Sequence, residues 1–312
     1  MAQLLFSIFK TIRPRQWLKN LAIFSPVFLT GYAFEAKFIV PVAWGFLAFC
    51  LLSSSNYIVN DILDAESDSR HPFKKFRPIA NQKISIPVSL LVSGIFAVCG
   101  LVISSTLGYS FFLLALIFIT LQYMYSLIFK KISVIDILTI TAGYFIRVYA
   151  GEAATGIHIS VWLALAALSL ALFLAIGKRR AELTLIKGYK SVVPQQTRES
   201  LMHYSEKLLD TYTAMFANST FITYSFYTFL ERPAKPGFLF GGYRNYTLDI
   251  TDRKLLMLTI PFVLFGIMRY MQLIYEGQGE SPEKILTSDI PLLVTVIMWA
   301  VVVFFVVYAI GG

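Results

Sequence analysis

The sequence has little charge and very few residues of the kinds that bind soft metals. Only 14% of its 312 residues are charged, whereas 57% are hydrophobic. Soluble domains are usually about a quarter charged, so the composition excludes an ordinary water-soluble enzyme. No polar stretch is long enough to fold separately, and we therefore expect one integral-membrane domain over residues 1–312.

Cysteine and histidine are both scarce. The two cysteines, Cys50 and Cys99, lie inside apolar segments, where a packing role is favoured over a disulfide. The three histidines have no spacing typical of zinc ligands. The apolar piece at residues 4–9 is short, and basic residues follow it instead of preceding it, which argues against a cleavable signal peptide.

Apolar runs of about 20 residues recur along the chain, as bilayer-spanning helices require. We predict an all-α, polytopic membrane protein that forms a bundle of nine transmembrane helices. Their expected ranges are 21–40, 42–63, 87–107, 109–129, 134–151, 160–177, 210–230, 255–275 and 290–310. Residues 2–20 alternate apolar and basic positions and include Trp17, which predicts an amphipathic helix along the membrane interface.

The basic residues are unevenly distributed. The formal net charge is +9, and most of the 27 lysines and arginines lie in one set of the loops between the predicted spans. Cytoplasmic loops are enriched in these residues, so we expect this set to face the cytoplasm from an inner (cytoplasmic) membrane. Their placement beside apolar spans fits membrane lipid and phosphate ligands, and no nucleic-acid partner is expected. A homo-oligomer is compatible with the sequence.

Oxygen-bearing side chains are concentrated at the end of the second predicted span. Asp61, Asp64 and Asp68 are spaced three and four residues apart, so they share one helix face with Asn60 beside them. Clustered carboxylates repel one another unless a cation lies between them. Mg²⁺ binds oxygen ligands and is often shared with substrate phosphates, so these four residues are candidate metal ligands, with Mn²⁺ as an alternative ion. The competing interpretation is a solvated acidic helix end, neutralised by its basic neighbours.

Basic residues follow this acidic segment directly. Lys74, Lys75 and Arg77 are candidates for neutralising a metal-bound diphosphate, although the positive-inside tendency also places basic residues in such a loop. At the end of the fourth span, Lys130 is a candidate phosphate ligand, and Tyr125 is either a ligand or an interface anchor. Together these residues predict a diphosphate site at the cytoplasmic boundary, with the three aspartates and Lys75 in catalytic roles.

The N-terminal segment is a further candidate for substrate contact. Arg13, Gln16, Lys19 and Asn20 combine positive charge with amide groups. Such a segment suits the binding of a specific phosphate headgroup, and it also suits a simple anchor on anionic lipid. Both interpretations place these residues at the membrane surface.

Charged residues at two later positions are also candidates for substrate binding. After the sixth span, Lys178, Arg179 and Glu182 can hold a phosphorylated sugar through charge and hydroxyl hydrogen bonds, or form a surface ion pair. Arg147 lies inside a predicted span, where charge is costly and usually functional. It is either a site residue or the ion-pair partner of Glu152.

These motifs resemble the UbiA superfamily of intramembrane prenyltransferases. The run Asn60-Asp61-x-x-Asp64-x-x-x-Asp68 is similar to its first aspartate motif, and Tyr125-Ser126-x-x-x-Lys130-Lys131 is similar to its tyrosine–lysine segment. The sequence resembles one branch more closely, the decaprenyl-phosphate phosphoribosyltransferases. The segments that resemble this branch are Arg13-Pro-Arg-Gln-Trp-Leu-Lys-Asn20, Arg70-His-Pro-x-Lys-x-x-Arg77-Pro-Ile-Ala80 and Gly177-Lys-Arg-Arg-Ala-Glu182.

The resemblance implies a UbiA-type fold and an activity. The expected reaction is Mg²⁺-dependent transfer of 5-phosphoribosyl from phosphoribosyl diphosphate to a polyprenyl phosphate, with release of diphosphate. The product would supply lipid-linked pentose (arabinose) donors for the cell envelope. The resemblance further implies that Asp61 and Asp64, with Asn60 or Asp68, hold the metal ion on the diphosphate.

The remaining candidates also receive roles by resemblance. Lys75, Arg77 and Lys130 would bind the diphosphate. The ribose and its 5-phosphate would contact Lys178, Arg179 and Glu182, and the acceptor phosphate would contact Lys19 with Arg13 or Gln16.

The sequence departs from the superfamily after the sixth helix, and this difference affects which diphosphate substrate is expected. Aromatic prenyltransferases have a second aspartate-rich motif after the sixth helix, where this chain has Lys178-Arg179-Arg180-Ala181-Glu182. The basic residues favour phosphoribosyl diphosphate over a prenyl diphosphate as donor. An aromatic-acceptor prenyltransferase of quinone or haem biosynthesis is the alternative function. A cation transporter is a more distant alternative, which would need acidic residues near the bilayer midplane.

Overall fold

A computed structural model of the chain describes residues 2–70, 74–188, 199–231, 255–276 and 282–310, and these residues contain helices and no β-strand. The helices are α1 (Ala2–Thr11), α2 (Ser25–Thr30), α3 (Ala36–Leu63), α4 (Ala65–Arg70), α5 (Ile86–Thr106), α6 (Tyr109–Leu127), α7 (Ile135–Thr155), α8 (Val161–Gly188), α9 (Glu206–Leu230), α10 (Ile260–Tyr275), α11 (Pro282–Ser288) and α12 (Ile290–Phe304). Short 3₁₀ segments lie at Pro14–Phe24, Lys74–Phe76, Phe129–Lys131, Glu199–His203 and Leu256–Thr259, and a π-helical turn, Phe305–Ile310, follows α12.

Six helices in the described part of the chain are long and apolar enough to cross a membrane. They are Ala36–Leu63, Ile86–Thr106, Tyr109–Leu127, Val161–Thr184, Leu256–Tyr275 and Ile290–Ile310. All six overlap predicted spans. The helices α7 and α9 have comparable lengths of 21 and 25 residues. The prediction of an all-α, polytopic protein is confirmed, whereas the count of nine spanning helices stays a prediction.

The first predicted span has a different structure from the one expected. Sequence patterning placed separate helices at 21–40 and 42–63, divided at Pro41. Instead, α2 is followed by Gly31, with a φ of 90°, and α3 begins at Ala36 and continues through Pro41. The proline lies within the first two turns of α3, where its missing N–H removes a single hydrogen bond near the helix start.

The N-terminal region is also divided. We expected one amphipathic helix over 2–20, but α1 ends at Thr11 and a 3₁₀ segment begins at Pro14. The break lies at Arg13, which has a φ of 53°. A residue before proline is disfavoured in the right-handed helical region, so Arg13 interrupts the helix and turns the chain into the next segment.

The described chain groups into two compact units. The first comprises Met1–Ile23, Val40–Ala154 and Ser191–His203, and the second comprises Phe24–Ile39, Thr155–Lys190 and Tyr204–Gly312. In the first unit, Ile12, Ile58 and Ile79 form a buried apolar cluster that joins the N-terminal region to α3. In the second unit, Leu256 and Val303 belong to a buried cluster that also includes residues of α8 and α9. The single domain over 1–312 stays a prediction.

Helix α3 packs very closely on α5 within the first unit. A Cβ added at Gly100 of α5 would lie 2.8 Å from Leu52 Cγ and 3.1 Å from the Ala48 carbonyl oxygen of α3. The hydroxyl oxygens of Ser55 and Ser93 are 2.9 Å apart across the same pair of helices. Small residues allow this close approach between membrane helices. The contact fixes the position of α3, whose C-terminal end contains the acidic residues.

Candidate functional site

Two ion-pair clusters lie at the C-terminal end of α3, in the first unit. The first cluster joins two aspartates to two arginines. Arg13 Nη2 lies 2.5 Å from Asp61 Oδ1, while Arg77 Nη1 lies 3.1 Å from that oxygen and 2.5 Å from Asp68 Oδ2. Each aspartate side chain is only 3% exposed. Arg77 therefore bridges two buried carboxylates that would otherwise repel each other.

The second cluster joins Asn60 and Asp64 to a lysine. Lys130 Nζ lies 2.6 Å from Asp64 Oδ1 and 3.5 Å from Asn60 Oδ1. Asn60 Nδ2 donates to Asp64 Oδ2 at 3.0 Å. The Asp64 side chain is 27% exposed, so this cluster is more open than the first. Lys130 comes from the 3₁₀ segment after α6, which therefore positions the cation of this cluster.

Local helical hydrogen bonds explain why the four oxygen-bearing residues share a face. The Asp64 N–H donates to the Asn60 carbonyl at 2.9 Å, and the Asp68 N–H donates to the Asp64 carbonyl at 2.8 Å. The i to i+4 pattern thus continues from α3 into α4 across the junction at Asp64. The shared face predicted from the spacing is present in the structure.

The N-terminal segment contacts α3 just before the acidic residues. The Arg13 guanidinium lies 5.3 Å from the ring centroid of Tyr57. The Tyr57 hydroxyl donates to Gln16 Oε1 at 3.4 Å. Arg13 reaches Asp61 from a left-handed backbone conformation, which costs free energy for a non-glycine residue and is concentrated at functional sites.

Asn20 and Arg147 meet in the interior of the first unit. Arg147 Nε donates to Asn20 Oδ1 at 2.6 Å, and Nη1 donates to the Gly143 carbonyl at 2.6 Å. Nη2 donates to Ser53 Oγ at 3.3 Å. Arg147 has neutral hydrogen-bond partners, so the expected pair with Glu152 is not observed in the described part of the chain. Amide, carbonyl and hydroxyl oxygens satisfy the guanidinium instead.

The other predicted residues of this unit lie outside the two clusters. Lys74 and Lys75 are both exposed in the 3₁₀ segment before Arg77, and Lys75 Nζ lies 5.3 Å from the centroid of the Phe76 ring. Lys19 and Tyr125 are half-buried. The catalytic role assigned to Lys75 and the binding roles of the others stay predictions.

The candidate sugar-binding residues lie on α8, in the second unit. Arg179 is fully buried, and its Nη1 lies 2.6 Å from Glu182 Oε2 one turn away. Arg180 Nε lies 2.6 Å from Asp210 Oδ1 of α9. Lys178 is half-buried. The role of Lys178, Arg179 and Glu182 in sugar binding stays a prediction.

A cavity of about 220 Å³ lies beside the first cluster. Its lining residues are Lys10, Arg13, Asp61, Phe76, Arg77 and Pro78. Lys10 and Phe76 are not among the predicted site residues, because residues 2–20 were expected to lie along the membrane interface and only the basic residues of the 74–77 segment suggested phosphate binding. No local pattern links Lys10 to this site, because α1 ends at Thr11, before Arg13.

The oxygen donors suit a hard divalent cation, although basic side chains neutralise them in the structure. No three Asp, Glu, His or Cys side chains in the described ranges are grouped closely enough to hold a metal ion together. Asn60 and Asp64 nevertheless supply amide and carboxylate oxygens in the more exposed cluster, and Mg²⁺ prefers such ligands. These oxygen ligands therefore fit Mg²⁺. The basic neighbours also neutralise the carboxylates, as expected if the acidic residues formed only a solvated helix end.

The sequence matches the UbiA prenyltransferase family over residues 24–191. Among solved structures, a UbiA homologue from Archaeoglobus fulgidus bound to DMAPP and Mg²⁺ has a TM-score of 0.69 and 18% sequence identity. That match covers 96% of this chain and 99% of the homologue. The chain belongs to the UbiA prenyltransferase family, and it is a multi-pass membrane transferase with the UbiA fold.

Two relatives share a more specific name. A decaprenyl-phosphate phosphoribosyltransferase of Mycolicibacterium smegmatis is 33% identical over 301 residues, which covers 95% of this chain and 91% of the relative. A decaprenyl-phosphate phosphoribosyltransferase of Corynebacterium glutamicum is 30% identical over 303 residues, covering 96% of this chain and 86% of the relative. The resemblance to the superfamily and to this branch is confirmed.

Proposed function

We propose that the protein transfers 5-phosphoribosyl from phosphoribosyl diphosphate to a polyprenyl phosphate in a Mg²⁺-dependent reaction that releases diphosphate. The main structural support is the alternation of carboxylates and cations at the end of α3. There Arg77 bridges Asp61 and Asp68, and Lys130 pairs with Asp64. The names of relatives that are 33% and 30% identical support the choice of donor and acceptor.

The chemistry of this reaction explains why cations are needed. The bond between ribose C1 and a diphosphate oxygen breaks, and its electron pair leaves with the diphosphate. An oxygen of the acceptor phosphate forms the new bond to C1. Fixed positive groups stabilise the negative charge that develops on the leaving group. The acceptor phosphate is already ionised near neutral pH, so orientation of the two substrates replaces a strong general base.

The chain has residues that would hold the metal ion and cations that lie close to them. Asp61 and Asp64, with Asn60 or Asp68, would hold Mg²⁺, which when bound neutralises diphosphate charge. Lys130 lies within the Asp64 cluster and Arg77 within the Asp61 cluster, so both are already positioned near these oxygens.

The remaining predicted residues would contact other parts of the donor. Lys75 would add positive charge near the diphosphate, and Lys178, Arg179 and Glu182 would contact the ribose and its 5-phosphate. The site would face the cytoplasm from the inner membrane, where a phosphorylated sugar donor is available. The lipid product would be a pentose donor for the cell envelope.

We predict that Asp64→Asn strongly lowers the rate of transfer. Purified protein is incubated with labelled phosphoribosyl diphosphate, Mg²⁺ and a polyprenyl phosphate, and labelled lipid is quantified. Loss of the carboxylate should lower the rate by about 100-fold or more, and a chelator should abolish wild-type activity until Mg²⁺ is restored. Glu66→Gln is the matched control, because Glu66 is an 84% exposed carboxylate paired with Arg70. It should retain near wild-type activity.

Two results would contradict the proposal. One is a folded wild type that makes no labelled lipid but transfers prenyl groups to an aromatic acid, which would favour the alternative function. The other is equal activity of Asp64→Asn and Glu66→Gln, which would remove the acidic cluster from the reaction.

A further inference from the structure

The cavity beside the first cluster has an excess of positive charge. Three of its lining residues, Lys10, Arg13 and Arg77, are cations, and only Asp61 is an anion. Arg13 and Arg77 share the Asp61 carboxylate, whereas Lys10 forms no ion pair with any described residue. Clefts lined by one sign of charge concentrate ligands of the opposite sign. The cavity is therefore suited to an anion.

Helix α1, which contains Lys10, is arranged as a helix that contacts lipid. Ser7 and Thr11 are buried, and Thr11 Oγ1 donates to the Ser7 carbonyl at 2.8 Å. Phe6 and Phe9 are 69% and 58% exposed. A helix that faces water buries its apolar residues and exposes its polar ones. Apolar residues on the outer face are instead typical of helices in the membrane interface. The cationic residue Lys10 therefore lies next to an apolar surface.

The cavity itself combines charge with an exposed aromatic ring. Phe76 lines it together with the cations and is 60% exposed. A ligand with a phosphate at one end and an apolar chain at the other matches both features. A fully polar sugar phosphate matches only the cations.

We infer that this cavity binds the phosphate of the polyprenyl acceptor, with Lys10 as a ligand and Phe76 against the first isoprene units. The inference rests on the proposed function and separates its two substrates. The acceptor phosphate contacts Lys10 and Arg13, and the donor diphosphate contacts Lys130 and Arg77, so that the Asp61 carboxylate borders both. In this assignment Lys10 takes the role that sequence analysis gave to Lys19, which is not among the lining residues.

Direct binding tests the site without the donor. Farnesyl phosphate is titrated into the purified wild type and into Lys10→Gln, with farnesol and ribose 5-phosphate as separate competitors. Loss of one charge-assisted hydrogen bond should weaken farnesyl phosphate binding about tenfold. Lys10→Arg should restore most of the affinity. Neither competitor should displace farnesyl phosphate, because farnesol lacks the phosphate and ribose 5-phosphate lacks the apolar chain.

A matched control separates this effect from general electrostatics. Lys83 is an exposed lysine in the same unit and is not among the lining residues. Lys83→Gln removes the same charge and should bind farnesyl phosphate as the wild type does. Similar elution of all variants in size-exclusion chromatography checks that they are folded.

Steady-state kinetics distinguish the acceptor from the donor. Lys10→Gln should raise the KM for polyprenyl phosphate and leave the KM for phosphoribosyl diphosphate unchanged. A rise in the donor KM, or displacement of farnesyl phosphate by ribose 5-phosphate, would assign the cavity to the donor. Equal binding by wild type and Lys10→Gln would refute the inference. Lys10-dependent binding of farnesyl phosphate without any labelled lipid product would refute the proposed function and leave only a binding site for a polyprenyl phosphate.

Discussion

Arg147 is a buried cation that neutral groups hold in place. It donates to Asn20, to Ser53 and to a backbone carbonyl, and its guanidinium lies 4.6 Å from the centroid of the Phe118 ring. Buried charge is tolerated where hydrogen bonds and an aromatic face replace water. Because Asn20 belongs to the 3₁₀ segment Pro14–Phe24, Arg147 fixes that segment to α3 and α7.

We expect Arg147→Met to loosen the N-terminal segment. Asn20 Oδ1 would lose its shortest hydrogen bond, which should lower the free energy of unfolding by about 1–3 kcal/mol. Trypsin should then cleave faster at Arg15 or Lys19. Thermal unfolding in detergent and limited proteolysis measure the two effects.

The control for this variant is Arg70→Met. Arg70 is 70% exposed and pairs with Glu66 on the surface, so its loss should change stability by less than about 0.5 kcal/mol. Equal stability and equal cleavage in both variants would show that Arg147 does not hold the segment.

The sequence predicted some residues of the candidate site better than others. Asp61, Asp64 and Asp68 could be grouped because helical spacing alone places them on one face. The partnership of Arg13 with Asp61 joins residues 48 positions apart, and no local pattern specifies such a contact. Lys10 was missed for the same reason, since its position depends on how α1 packs against α3.

Among the helices, the packing of α3 on α5 determines where the acidic residues lie. The two helices approach so closely at Gly100 that a methyl group there would meet the fully buried side chain of Leu52 and a backbone oxygen. Buried backbone cannot move aside easily, so an added methyl group must separate the helices or distort one of them.

We therefore predict that Gly100→Ala destabilises the protein by about 1–3 kcal/mol and lowers transferase activity, because the end of α3 shifts. Gly94→Ala is the control on the same helix. A Cβ at Gly94 would have no atom within 4 Å, so that variant should be neutral or slightly stabilising. Thermal unfolding and activity are measured for both, and equal melting temperatures would contradict the close packing.

Helix boundaries show where sequence patterns are ambiguous. The predicted break at Pro41 is absent, whereas Gly31, inside the first predicted span, adopts a positive φ and follows the end of α2. Pro41 is the sixth residue of α3, and the helix continues through it despite the loss of one backbone hydrogen bond. A proline in the sequence therefore does not by itself determine where a helix begins. Composition alone was sufficient for the long spans, because apolar runs of their length have few stable alternatives in a bilayer.

The distribution of charge predicts the orientation of the whole molecule. Helix α5 joins the loop that contains Lys83 to the short loop before Tyr109, and its 21 residues span about 30 Å. The two positions should therefore lie on opposite sides of the membrane, with Lys83 in the cytoplasm beside the basic loops.

Cysteine labelling in intact cells tests this orientation. Lys83→Cys and Tyr109→Cys are each made after Cys50 and Cys99 are replaced by alanine. An impermeant maleimide should label Tyr109→Cys, where the native residue is 79% exposed, and should label Lys83→Cys only after permeabilisation. The reverse pattern would place the acidic residues on the outer side, away from cytoplasmic sugar phosphates.

The protein supplies its own counterions to the carboxylates at the end of α3. A phosphate that approaches Arg13 or Arg77 therefore competes with Asp61 for the positive charge of the guanidinium. Because Asp61 already neutralises part of that charge, an incoming anion of higher charge should compete better. Phosphate monoesters have a charge of about −1.5 to −2 near neutral pH, whereas the phosphodiesters of bulk phospholipids have a single negative charge. In the proposed acceptor site, competition with Asp61 would favour a lipid monophosphate over the large excess of ordinary phospholipid.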